Sequence, residues 1–198
     1  MASHIISSFA ARATASPYAA SLGLGLGTVS YYFWGNIASQ FMGSIGLAVY
    51  PEELKKVGID TSKSVEIWGW GYKQGAKHMA ISAAAAGLAV LAAAFQTPPA
   101  GLLFSPRNYL LLLSPLLLAN GIYTVIFMLP TNNRLLAIRD KIVKARLVSD
   151  SSSSSPLSIA QEEEAKSLLQ KWKELHYVRL ALGAVGWVGT LAVYMATI

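Results

Sequence analysis

The chain has 198 residues, 54% of them apolar and 13% charged, and because soluble domains usually carry about 25% charged residues, these totals favour a membrane protein. Cysteine is absent, which excludes disulfides, thiolate metal sites and cysteine nucleophiles. The net charge of +6 could suggest binding to nucleic acid. However, the basic residues flank apolar stretches, so membrane topology accounts for them and no nucleic-acid partner is predicted.

Four intervals without charged side chains divide the chain, and each is at least ~18 residues long, enough to cross a hydrocarbon core. The spans are predicted as helices, because lipid offers no partner for a free backbone N–H or C=O. The sequence therefore predicts an all-α membrane protein, a four-transmembrane-helix bundle within one membrane domain of residues 1–198. The predicted spans are roughly Tyr18–Val49, Lys77–Gln96, Asn108–Leu129 and Tyr177–Thr197.

The first interval is longer than one span requires. It is expected to tilt, to kink near its glycines, or to begin with a segment that does not cross the membrane. A cleaved signal peptide is the alternative, since residues 10–16 are mostly small. The stretch before them lacks a clear apolar segment, which favours an uncleaved first span.

The distribution of lysine and arginine predicts the orientation. The first and third loops hold 13 basic residues, whereas the opposite side of the membrane holds two, Arg12 and Arg107. The positive-inside rule then places loops one and three in the cytosol, and both termini outside the cell or in a lumen.

The loops carry three further patterns. Trp68, Trp70 and Tyr72 close the first loop and are typical of an interfacial aromatic belt, with a lid over a pocket as the functional alternative. In the third loop, residues 134–147 continue the third span, and a flexible serine-rich linker is predicted over 149–156. Ser158 and Gln161 fit a capping box that opens an amphipathic cytosolic helix leading into the last span.

Small and polar residues mark the spans themselves. Gly183, Gly186 and Gly189 lie on one side of the last span, a pattern that favours close helix packing. Polar residues near a membrane core are costly and are therefore candidate functional residues. Those placed deepest in the first and third spans are Asn36, Asn120 and Tyr123.

A second polar group lies at the basic end of the spans. On a helix that turns 100° per residue, Trp172, His176 and Arg179 fall within about 60° of one another. Asn132 ends the third span and His78 begins the second, so the predicted topology brings both to the same membrane face. A histidine with a reference pKa of about 6.5 is a suitable general base, and a guanidinium and an amide can hold a developing oxyanion.

The structural alternative assigns these residues no chemistry. Arg179 then extends to the membrane interface, His176 caps a loop carbonyl and Asn132 ends the third helix. A metal site is not predicted, because the two histidines of this group have no carboxylate companion inside the membrane.

The pattern Pro130-x-Asn132-x-x-Leu135, followed after a linker by Trp172-x-x-x-His176-x-x-Arg179, resembles the signature of the anthrone oxygenase family. The resemblance extends over most of the chain, including the glycine-rich first span and the tryptophan-bearing loop. It implies a small multi-pass membrane enzyme of aromatic polyketide secondary metabolism, in an endoplasmic reticulum or vesicle membrane.

The resemblance also implies the reaction, in which O2 oxidises an anthrone to the anthraquinone without flavin, haem or metal. For this reaction we predict His176 as the base, with Arg179 and Asn132 around the oxyanion. The residues expected to bind the substrate are Trp172, Asn36, His78 and Tyr123. The expected partners are a small aromatic polyketide substrate, membrane lipid and other pathway enzymes.

Two other functions remain open. A non-catalytic tetraspan scaffold of a membrane-bound pathway predicts no pocket, and only helix-end contacts for Asn132 and Arg179. A small-molecule transporter fits less well, because the chain shows no internal repeat and no ionisable residue near the middle of a span. An apolar cavity beside His176 and Arg179 would favour the enzyme.

Overall fold

A computed structural model describes residues 11, 16–50, 56, 58–98, 105–148 and 157–198. Within these ranges the chain is helical and contains no strand, which confirms the all-α prediction for this part of the protein. The predicted linker 149–156 and most of the small-residue run 10–16 lie outside the described residues. The helices are α1 (Pro17–Phe41), α2 (Ser44–Val49), α3 (Thr61–Gln96), α4 (Pro106–Tyr123), α5 (Leu129–Val148) and α6 (Ile159–Thr197), and a π-helical turn, Thr124–Met128, joins α4 to α5.

Three stretches are long and apolar enough to cross a membrane: Thr61–Gln96, Pro106–Leu147 and Ile159–Thr197. The second, third and fourth predicted spans lie within them. Helix α1 has 25 residues, which is sufficient length, but its glycines, serines and tyrosines lower its mean hydropathy and it is not among the three.

Of the alternatives for the first interval, the structure shows a change of direction next to a glycine. Helix α1 ends at Phe41, Gly43 is extended (φ −100°, ψ −178°), and α2 begins at Ser44. A Cβ added to Gly46 would lie 2.2 Å from the backbone carbonyl oxygen of Gln40. Glycine at this position therefore permits α2 to turn back against the end of α1.

Helix α3 begins earlier than the predicted second span. Its first turn is capped by Asp60, whose Oδ1 accepts a hydrogen bond of 2.8 Å from the backbone N–H of Lys63. The helix then continues through Trp68, Trp70 and Tyr72, so these residues do not lie in a loop as predicted.

The π-helical turn lies immediately before Pro130. The backbone N–H of Leu129 bonds the carbonyl of Thr124, five residues earlier. Proline has no N–H, and its ring collides with the carbonyl four residues before it, so widening one turn relieves the collision without ending the helix. Asn132 is buried in α5 and does not terminate the helix, contrary to the structural alternative.

The described residues form two compact units. One comprises the chain up to Gly35 with Met79–Ile122 and Leu180–Ile198, and the other comprises Asn36–His78 and Tyr123–Arg179. The core of the first unit is mainly aliphatic and includes Leu22, Val29, Val90, Leu110 and Leu117. The core of the second adds two tryptophans to its aliphatic residues, among them Val65, Trp68, Leu135, Ile142 and Trp172.

Glycines of α6 allow close packing inside the first unit. A Cβ on Gly186 would lie 2.4 Å from Leu117 Cδ2, and one on Gly189 would lie 2.5 Å from Leu113 Cδ2. The packing role predicted for the glycines of the last span is thereby confirmed. Gly27 of α1 is different, because a Cβ there would meet nothing within 4 Å.

The predicted capping box at the start of α6 is confirmed. The backbone N–H of Ser158 donates to Gln161 Oε1 at 3.0 Å, and the backbone N–H of Gln161 donates to Ser158 Oγ at 3.4 Å. From there α6 runs without a break to Thr197. One helix therefore carries Trp172, His176 and Arg179 at fixed relative angles.

Candidate functional site

Three of the predicted site residues meet in the second unit. The Nη2 of Arg179 donates to Asn36 Oδ1 at 2.6 Å and to His176 Nδ1 at 3.0 Å. Asn36 is 3% exposed and His176 is 1% exposed. We call Asn36, His176 and Arg179 the Arg179 cluster. The cluster joins α1 to the middle of α6. The contacts of Arg179 are therefore not the helix-end contacts that the scaffold alternative predicts.

The cluster fixes the form of the imidazole. A guanidinium only donates hydrogen bonds, so Nδ1 of His176 must accept, and the neutral ring then carries its proton on Nε2. Nε2 itself is buried and has no hydrogen-bond partner among the described residues. Asn36 and the imidazole in this form are both neutral partners of Nη2.

An aromatic series extends from the cluster. Trp172 stacks on His176 with 4.7 Å between ring centroids, and Trp68 meets Trp172 edge to face at 6.0 Å. Tyr72 stacks on Trp68 at 5.1 Å. Each stacked pair is four residues apart on its helix, and this spacing places both members on one face. We call Tyr72, Trp68, Trp172 and His176 the aromatic series.

The two tryptophans that the sequence places at the end of the first loop lie in different environments. Trp70 is 59% exposed and fits the predicted aromatic belt, whereas Trp68 is fully buried and belongs to the series. Sequence reasoning missed Trp68 as a site residue. The available signal was the four-residue spacing of Trp68 and Tyr72, which places them on the face opposite Trp70.

Tyr123 approaches α6 from the last turn of α4. Its hydroxyl donates to the backbone carbonyl of Leu175 at 3.1 Å, next to His176. In an α-helix this carbonyl also receives the backbone N–H of Arg179. Tyr123 therefore fixes the turn of α6 that carries the cluster, rather than contacting the cluster through its hydroxyl.

The remaining predicted residues have different positions. Asn132 is 1% exposed, and its Oδ1 has no hydrogen-bond partner within the part of the chain that is described. His78 is exposed on α3 and does not share the burial of the other candidates.

The family model for anthrone oxygenases matches residues 68–189, more than half of the 198-residue chain. This chain belongs to the anthrone oxygenase family. No curated protein and no solved structure matches it. The matched region of this family member contains the buried residues of α3, α5 and α6 described above, namely Trp68, Asn132, Trp172 and His176, together with Arg179. Asn36 precedes the matched region and supplies a partner for the guanidinium.

A second polar contact set of this family member lies one turn after Asn36. Gln40 is fully buried, and its Nε2 donates to the hydroxyl of Tyr50 at 3.4 Å. The Tyr50 hydroxyl is in turn 2.7 Å from that of Tyr177. Sequence reasoning missed Gln40, although its spacing from Asn36 in an apolar helix was a visible signal.

Two cavities of the protein lie apart from the Arg179 cluster. One of 580 Å³ in the second unit is lined by polar and apolar side chains, among them Asp60, Lys166 and Leu169. The other, of 370 Å³ in the first unit, is mainly apolar and includes Tyr109 and Leu113. Neither is lined by His176 or Arg179, so neither is the apolar cavity whose presence beside these residues would favour the enzyme. Among the described residues, no three His, Asp or Glu side chains are grouped so that they could hold a metal ion.

Proposed function

We propose that this protein oxidises a polyketide-derived anthrone with O2 to the anthraquinone. The observation that carries the proposal is the Arg179 cluster, in which neutral partners hold a guanidinium beside a buried imidazole. In the overall reaction the anthrone CH2 becomes a carbonyl. One atom of O2 enters that carbonyl, and the other leaves as water with the two hydrogens of the CH2.

The anthrone supplies the electrons in this proposal. Its CH2 lies between two aromatic rings and opposite a carbonyl, so loss of one proton gives a delocalised anthrolate. Arg179 binds the anthrolate oxygen, where the negative charge develops, and the buried setting strengthens that interaction. The anthrolate passes an electron to O2, the two radicals combine, and the resulting peroxide loses water to form the quinone. We propose that no bound cofactor takes part.

His176 is the proposed base, and the geometry makes its action depend on the substrate. In the structure the Nδ1 lone pair is occupied by an N–H of Arg179. When Arg179 turns this N–H to the substrate oxygen, Nδ1 becomes able to accept the proton. The base is therefore released only when an anthrone is bound.

Two further residues complete the proposed site. Asn132 is buried, and its side-chain amide N–H is the proposed second donor to the anthrolate oxygen. Trp172 borders the polycycle, because its ring already stacks on His176. These roles deepen the family function and are tested by the variants below.

We also propose that α1 is a fourth membrane-crossing helix. Large apolar side chains on its outer side are more than half exposed, among them Leu24, Tyr31, Trp34 and Phe41, and lipid would cover them. Loops one and three then face the cytosol of an endoplasmic reticulum or vesicle membrane. Neighbouring enzymes of the polyketide pathway would release a poorly soluble anthrone close to this membrane.

Oxygen uptake by the purified protein with an anthrone, corrected for spontaneous oxidation, tests the proposal. Arg179→Met should lower kcat by about 10²- to 10³-fold, as for the loss of an oxyanion donor. Arg134→Met is the matched control, since Arg134 is exposed and paired with Glu164 at the protein surface. Uptake by the wild type no faster than in protein-free buffer would refute the enzyme and favour the scaffold.

A further inference from the structure

The two tryptophans of the aromatic series share one feature. Trp68 is fully buried and Trp172 is 3% exposed, yet the indole N–H of each has no hydrogen-bond partner among the described residues. An indole nitrogen can only donate, so neither nitrogen can accept a hydrogen bond from the other. The pair therefore presents two donors and no acceptor inside the core of the second unit.

Such donors are costly. A buried polar group without a partner destabilises a protein by about 1–3 kcal/mol, and more than 90% of buried backbone polar groups, with most side-chain ones, are paired. Phenylalanine would fill these apolar positions without the penalty. Two unsatisfied donors in contacting rings indicate that an acceptor binds there during function.

The position of the rings indicates which acceptor this is. Trp172 stacks directly on His176, whose Nδ1 is bonded to Arg179, so the donors continue from the cluster proposed to hold the anthrolate oxygen. Trp68 is the next ring, 6.0 Å from Trp172. A polycycle bound at Arg179 and extending along the series would bring its other oxygens to these indoles.

We propose that Trp68 and Trp172 form a second oxygen-binding subsite of the anthrone site. Their N–H groups bind ring oxygens other than the one held by Arg179, and Trp68 thereby positions the substrate and determines its specificity. This inference rests on the proposed function. Because both indoles are buried, a substrate reaches them only when α3 and α6 separate locally.

The test uses one substrate with and one without the additional oxygens. Anthrone has a single oxygen, and 3,6-dihydroxyanthrone has two more, at the outer edges of the ring system away from the carbonyl. Trp68→Phe keeps an aromatic ring and removes the N–H, and Trp70→Phe, two residues away on the exposed face of α3, is the matched control. Equilibrium binding is measured under nitrogen, where no oxidation occurs, and turnover is measured in air.

Trp68→Phe should weaken binding of 3,6-dihydroxyanthrone and raise its KM by about 10-fold, as expected for one lost hydrogen bond. Binding of anthrone should change less than about 2-fold, and Trp70→Phe should change neither. Equal losses for both substrates would show that Trp68 only packs, and no loss for either would show that a buried water satisfies its N–H. Each of these two results overturns the subsite.

The design separates this inference from the proposed function. If the wild type discriminates between the two compounds under nitrogen through Trp68 but oxidises neither in air, the subsite is upheld and the oxygenase proposal fails. If Trp68→Phe does not accumulate in membranes, Trp172→Phe is measured in the same way. It removes the other indole donor and must show the same selective loss for the proposal to survive.

Discussion

Asn36 holds the guanidinium of Arg179, and two substitutions there separate its structural role from its electrostatic one. Asn36→Leu removes the side-chain acceptor that lies 2.6 Å from Nη2. Asn36→Asp keeps an acceptor of nearly the same shape but adds a negative charge. In the first variant the guanidinium loses a partner, and in the second its positive charge is cancelled before any substrate arrives.

The two substitutions are expected to affect stability and turnover differently. Loss of a hydrogen bond to a charged group costs about 1.5–3 kcal/mol, so Asn36→Leu should unfold about 3–12 °C below the wild type. Asn36→Asp should be at least as stable as the wild type, because a charged acceptor binds a guanidinium more strongly. Its kcat should nevertheless fall by about 10²- to 10³-fold, since a neutralised Arg179 no longer stabilises the anthrolate.

Thermal unfolding in detergent and corrected oxygen uptake are measured on the same preparations. Asn133→Asp is the matched control, because it makes the same chemical change at an exposed position on α5 and should alter neither quantity. Wild-type turnover by Asn36→Asp would refute the proposed role of Arg179. Equal loss of stability in both Asn36 variants would refute the hydrogen-bond argument.

Gly46→Ala should lower the thermal unfolding temperature by several degrees, because its Cβ would collide with the Gln40 carbonyl. Gly27→Ala, where space is open, should be neutral or stabilise the protein by about 0.5–1 kcal/mol. The reverse order of stabilities would contradict the packing at α2. Pro130→Ala should restore a backbone N–H, favour a regular helix and turn Asn132 away from the site. We therefore expect kcat to fall while the helix content measured by circular dichroism stays constant. An unchanged kcat would show that the π-helical turn does not position Asn132. Incubation with a chelator should leave oxygen uptake unchanged, and loss of uptake that one metal restores would contradict the proposed cofactor-free reaction.

Relations within a single helix could be predicted from the sequence. The stripe of Trp172, His176 and Arg179 is confirmed, because the rotation per residue of an α-helix fixes their angles whatever surrounds them. The capping box at Ser158 and Gln161 is confirmed for the same reason, since both of its hydrogen bonds are local.

Relations between helices could not be predicted in the same way. The partner of Arg179 is 143 residues away on α1, and that contact depends on how each helix is rotated about its own axis. Hydropathy predicts how deep Asn36 lies within its apolar helix, but not the direction in which α1 is rotated about its axis. The sequence predicts a loop at Trp68, because charged residues interrupt the apolar pattern around it, yet α3 accommodates Lys63 and Glu66 without unwinding.

The central claim is that the buried guanidinium and imidazole of α6 catalyse the reaction of an anthrone with O2. Its most direct test is the initial rate of anthraquinone formation by purified wild type, Arg179→Met and His176→Ala, with His78→Ala as the exposed-histidine control and spontaneous oxidation subtracted. We predict a rate proportional to wild-type protein concentration, one O2 consumed per quinone, near-background rates in the first two variants, and a wild-type rate in His78→Ala. Wild-type rates in both Arg179→Met and His176→Ala would contradict the account.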